Sequence, residues 1–133
     1  MNTKPRKVNP ETPIDELIER LLSQIEGSFP VVDKKERVVG IVTESDVLQI
    51  LQVPLKRAVV GPDMVQELKK RMATKVGDIM TRDPVTVSPD MNMEEVLNIM
   101  SIHKLRSLPV TERGKLVGLI NLRKIIEFYR LLR

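Results

Sequence analysis

The residue types best suited to holding a ligand fall together in Gly40-Ile41-Val42-Thr43-Glu44-Ser45-Asp46. The apolar run ending at Thr43 reads as a strand that delivers the chain to the start of a helix. A helix N-terminus presents backbone N–H groups without intrahelical partners and a partial positive charge, which suits a phosphate. The Thr43 hydroxyl, three such N–H groups and the Asp46 carboxylate would therefore converge at one junction. Thr43 can donate to a phosphate oxygen. Asp46, one turn in, can accept both hydrogen bonds of a ribose diol, as acidic residues do in dinucleotide folds. The same residues also have a purely structural use, with Thr43 as the N-cap and Asp46 as an anion favoured by the helix dipole. On the residues alone both uses stay open.

Little else in the chain assembles into chemistry. There is no cysteine, which excludes disulfides, thiol nucleophiles and thiolate metal sites and fits a cytoplasmic protein. His103, the single histidine, has no carboxylate or serine at telling spacing and reads as a solvated helix-end residue. Glu94-Glu95 reads as the first turn of a helix, and Lys69-Lys70-Arg71 as a solvated basic face. No P-loop, dinucleotide fingerprint or metal-ligand cluster is present, so an enzyme is not expected. The net charge of +4 is spread among residues of mixed sign, and nucleic-acid binding is not expected. No apolar run is long enough to span a bilayer, and no secretory leader is visible.

The elements that must position the junction are written twice. Sliding the sequence by 79 lays Val8-Asn9-Pro10 on Val87-Ser88-Pro89 and Ser28-Phe29-Pro30-Val31 on Ser107-Leu108-Pro109-Val110. One deletion later the offset is 78, and Val38-Val39-Gly40-Ile41-Val42 lies on Leu116-Val117-Gly118-Leu119-Ile120. Two copies are too few for a solenoid and argue for one pseudo-symmetric module whose halves bury each other's open face. Each half reads as short strand, helix, strand, strand, helix, an α+β arrangement. In the first, Thr12 would cap a helix with Pro13 at its first position, and Ile14, Leu17, Ile18, Leu21, Leu22 and Ile25 would form its apolar face up to Gly27. In the second, Asn92 and Glu95 would form a capping box, and Asn121 would cap the last helix. The boundaries are 1–51 for the first repeat, 52–75 for a connector with a helix, and 76–133 for the second.

Val76-Gly77-Asp78-Ile79-Met80-Thr81 with Pro84-Val85-Thr86-Val87, the two Ser-x-Pro-Val strands, and Gly40 to Asp46 together resemble a tandem pair of cystathionine-β-synthase (CBS) domains, a Bateman-type regulatory module. The resemblance covers nearly the whole chain. It implies a non-catalytic sensor that binds AMP, ADP, ATP or S-adenosylmethionine between the repeats and signals to an unknown effector protein. It places Thr43, Ser45 and Asp46 on ribose and phosphate, Val8, Ser28, Phe29 and Pro30 around the adenine, and Arg106 on phosphate from across the cleft. Phe29 has an alternative use as core, and Arg106 as a surface arginine. In the second repeat Asn121 and Lys124 replace the threonine and the aspartate. A lysine has no acceptor for a ribose diol, so a second ribose site is not expected. The resemblance also implies a homodimer joined through helices around Leu17 to Leu22 and Met93 to Met100. The alternative function is a dimerisation or interaction module with a vestigial pocket.

Overall fold

A computed structural model describes residues 6–23, 27–51 and 74–132. The expected connector helix (63–72) and Ile25 lie outside the described residues. The first half contains α1 (Ile14–Leu22), β1 (Ser28–Val32), β2 (Val38–Thr43) and α2 (Glu44–Leu51). The second half contains α4 (Met93–His103), β4 (Ser107–Glu112), β5 (Lys115–Asn121) and α5 (Leu122–Leu131). Between them lie α3 (Val76–Ile79) and β3 (Thr81–Arg82). The expected opening strand of each half is one parallel bridge, Val8 to Val31 and Val87 to Val110.

Helix α1 follows from its apolar spacing, which buries Ile14 and Leu17, and from Asp15 and Glu16 at its positive end. Its start corrects the sequence expectation. Pro13 is the N-cap, and Thr12 is buried with its hydroxyl accepting from the Asn9 N–H at 3.2 Å. The first helical amide is satisfied from outside instead, because Ile14 N–H donates to the Thr74 carbonyl at 3.0 Å. On α4 the Asn92 Oδ1 accepts from Glu95 N–H at 2.8 Å, one half of the expected capping box, while the Glu95 carboxylate accepts from Asn92 Nδ2 at 3.0 Å and not from the Asn92 backbone N–H.

The hairpins repeat each other in detail. Strand β1 pairs antiparallel with β2 from Ser28 opposite Thr43 to Val32 opposite Val38, with a register shift at Val31/Val32. Strand β4 pairs with β5 from Ser107 opposite Asn121 to Glu112 opposite Lys115, with its shift at the equivalent Val110/Thr111. The β1–β2 turn is fastened by Asp33, whose carboxylate accepts from Lys35 N–H, Arg37 N–H and the Arg37 guanidinium. The Arg37 backbone donor, the largest influence, holds this carboxyl below its ordinary value. A depressed carboxylate contributes stability above its unfolded pKa and loses it as pH falls through the folded one. Acid unfolding followed below about pH 4 should therefore weaken the wild type more steeply than Asp33→Asn.

Residues 74–82 pack on the first half. Val76 and Met80 are buried in the first core with Val8, Leu17, Phe29 and Val42, and β3 adds a third strand to β2. Gly40 is required there. A Cβ on it would lie 2.6 Å from Met80 Sδ and 2.9 Å from the Thr81 carbonyl oxygen, which is backbone and cannot rotate away. Gly40→Ala should cost about 1–3 kcal/mol, read by chemical denaturation. The second core gathers Val87, Val96, Met100, Leu108 and Val110.

The halves meet about a pseudo-twofold axis. Val38 N–H donates to the Gly114 carbonyl and Leu116 N–H to the Glu36 carbonyl, a reciprocal pair between equivalent residues. Nearer the helices, the Ser28 and Ser107 hydroxyls hydrogen-bond at 2.8 Å.

Candidate functional site

Strand β2 ends on Thr43 and α2 begins at once, so the junction expected from the sequence forms. Thr43 N–H donates to Asp46 Oδ2 at 2.9 Å, and Asp46 N–H donates to Thr43 Oγ1 at 3.4 Å. The Thr43 hydroxyl lies 3.3 Å from the same Oδ2. This is a capping box with aspartate in the glutamate position. Glu44 N–H donates to the Gly27 carbonyl at 3.1 Å. Two of the three expected first-turn donors are thus occupied within the chain. Among the described residues, the Ser45 N–H and Asp46 Oδ1 remain without partners.

Ser28 lies opposite Thr43, Ser107 lies opposite Asn121, and the two serines are bonded to each other. Four polar side chains therefore run in a row across the axis, from Thr43 through Ser28 and Ser107 to Asn121. At the far end Asn121 Oδ1 accepts from Arg123 N–H at 2.9 Å and Lys124 N–H at 3.4 Å. Leu122 N–H donates to the Arg106 carbonyl at 2.8 Å, the counterpart of Glu44 to Gly27. The two junctions share a backbone and oppose each other in charge. The first carries Glu44 and Asp46; the second carries Arg106, Arg123 and Lys124. Arg123 is engaged with Glu127 at 3.8 Å, whereas Arg106 and Lys124 are exposed without ion pairs among the described residues.

The structure brings Thr43, Ser45, Asp46 and Ser28 together at the first junction and sets Arg106 beside the neighbouring one. The side chains expected around the adenine, other than Ser28, lie inside the fold. Phe29 is fully buried in the first core, with the Arg20 guanidinium 5.0 Å from its ring centroid, so it offers no open face for stacking. Val8 and Pro30 are interior as well, tied together by Val8 N–H donating to the Pro30 carbonyl at 3.1 Å. Strand β1 is buried at every position from Phe29 to Val32, so both of its faces are covered. On the two helices expected to join a dimer, Leu17 and Met100 are core residues, while Leu22, Met93 and Ile102 face outward. Ser107 was not singled out by sequence reasoning as a site residue. Its signal was the repeat offset, since equivalent residues near a twofold axis meet each other.

His103 is exposed at the end of α4, followed by Lys104 in the left-handed conformation that closes the helix. Among the described residues no three His, Cys, Asp or Glu side chains group as metal ligands, and no helix is long and apolar enough to cross a membrane.

Two hairpin-and-helix repeats facing each other across a pseudo-twofold axis, each with a strand-to-helix junction, define a paired-repeat α+β module. The chain belongs to the CBS domain family, which matches residues 1–53 and 76–131. It is 30% identical over 124 residues to the uncharacterized protein MJ1426 of Methanocaldococcus jannaschii, covering 79% of this chain and 73% of that one. It is 33% identical over 127 residues to the chloroplastic CBS domain-containing protein CBSX1 of Arabidopsis thaliana, covering 85% of this chain and 54% of the relative. The chain thus spans about half of CBSX1. A crystal structure of CBSX2 in complex with AMP superposes with a TM-score of 0.75 at 27% identity, over 98% of this chain and 93% of that one.

Proposed function

We propose that the chain is a regulatory module that binds an adenine nucleotide or another adenosyl compound at the first junction and passes the event to an effector protein. The observation that carries this is the charge opposition across the Ser28–Ser107 pair. A free carboxylate oxygen on Asp46 suits a ribose diol, and the cationic second junction, with Arg106 at its edge, suits the phosphates. The AMP complex of CBSX2 supports an adenosyl ligand. In this reading residues 1–51 and 76–133 are the two repeats, 52–75 connects them, and two chains associate through the outward faces of α1 and α4. Ligand binding shifts the protein between states by no more than its difference in affinity for them.

Calorimetric titration with adenosine, AMP, ADP, ATP and S-adenosylmethionine tests the proposal. Affinity should rise with phosphate number and fall with added salt, because exposed charge pairs are screened. No heat from any of the five would overturn it and favour the interaction module with a vestigial pocket. One observation already speaks for that second reading: Asp46 Oδ2 is engaged in capping its own helix.

A further inference from the structure

Among the described residues, every large apolar side chain left exposed stands on a helix or at its end. Leu22 is on α1, Leu48 on α2, Met93 and Ile102 on α4, and the others belong to α5. Helix α5 is the extreme case. It has no buried residue, and its Leu122 and Ile125 are only partly buried against the second core. Ile126, Phe128, Tyr129 and Leu131 are more than half exposed. Apolar side chains gathered in this way mark an interaction surface.

The charges beside them are sorted by repeat. Helices α1 and α2 carry Asp15, Glu16, Glu19, Glu44 and Asp46 against one cation, Arg20. That cation is already engaged with the Phe29 ring and the Lys7 carbonyl. Helix α5 carries Arg123, Lys124 and Arg130 against one anion, Glu127. Helix α4 favours neither sign, with Glu94 and Glu95 at its start and Lys104 and Arg106 past its end.

We infer that a second copy of this chain covers these faces head to tail, the α1–α2 face of each copy lying on the α4–α5 face of the other. The two repeats share one backbone plan, so side chains choose between the possible orientations. A head-to-head pair would set α2 beside α2 and α5 beside α5, opposing like charges at both contacts. Such juxtaposition selects against an arrangement even where its apolar contact is good. Head to tail, acidic helices meet basic ones, and the twofold axis makes the same contact twice. The inference rests on the association of two chains proposed above and fixes its orientation; it does not depend on nucleotide binding.

The absence of cysteine from the sequence lets single cysteines report orientation directly. Gln49→Cys on α2 and Ile126→Cys on α5 are prepared separately, one of them carrying a mass tag, then mixed and treated with a short bismaleimide. The expected result is cross-linked product between the two variants and none from either variant alone. Product from each variant alone and none across the mixture would overturn the proposal in favour of the head-to-head pair. Sedimentation of the unaltered chain gives a second reading, which a poorly behaved cysteine variant cannot obscure. The dissociation constant of the dimer should rise at least about fivefold between roughly 20 and 200 mM salt, because complementary exposed charges are screened. A constant that stays level or falls with salt would overturn the orientation, and a monomer at every concentration would overturn the pairing itself. Heat from nucleotide titration of such a monomer would leave the nucleotide reading standing while this inference fails.

Discussion

Asp46→Ala should abolish the thermal shift that an adenine nucleotide gives the wild type. A ligand at about 100 times its dissociation constant adds roughly 2.7 kcal/mol, which for a chain of this size raises the melting temperature by about 3–6 °C. The substitution removes the only carboxylate placed one turn into α2 with a free oxygen. It also removes the partner of Thr43 N–H, and loss of such a cap costs about 0.5–2 kcal/mol. The unliganded variant should therefore melt lower as well. Asp46→Asn separates the two effects. Its carbonyl oxygen can still accept from Thr43 N–H, so the cap persists while the charge that strengthens a ribose hydrogen bond is gone. The expected order of ligand shifts is wild type, then Asn, then Ala. Equal shifts in all three would remove Asp46 from the site, leaving it only a capping role.

Phe29→Ala should be the most damaging single change in the first half. Phe29 is the largest fully buried side chain described. Truncating such a residue costs about 3–5 kcal/mol through lost transfer energy and the cavity left behind. That is a large share of the 5–15 kcal/mol that holds a typical domain together. It also removes the ring beneath Arg20, whose guanidinium donates to the Lys7 carbonyl at 2.8 Å and so links α1 to the start of the chain. Phe29→Leu keeps most of the volume and tests the ring's role. The fold should persist and nucleotide affinity should stay within about twofold, because the interior ring presents no face to a ligand. A tenfold weakening with Leu at full stability would return Phe29 to the ligand site.

Most of the architecture could be read from the chain because it rests on local signals repeated at a fixed offset. The Asn92 and Asn121 caps, the apolar face of α1 and both hairpins follow from residues within a few positions of each other. What escaped was non-local. Thr12 looked like a cap because nothing nearby in sequence reveals that Thr74 satisfies the first helical amide. Val76 to Arg82 reads as the start of the second repeat, and only the fold shows it covering the first core. At the site, the spacing of Thr43 and Asp46 fixed where the junction forms. It could not show that these residues bond to each other, since cap and ligand contact use the same atoms.

The Ser28–Ser107 hydrogen bond joins residues that are the same position of two copies. Such a contact is isologous: it is what one repeat would make with an identical neighbour, each contributing the same surface. Linking the copies in one chain frees them from identity while leaving the shared seam in place. Glu44 and Asp46 can then stand where the other copy has Leu122 and Lys124, a difference that a symmetric pair of separate chains could not hold. The polarity of the paired junctions is thus a property of covalent linkage, and it gives the module a direction in which a ligand with unlike ends can lie.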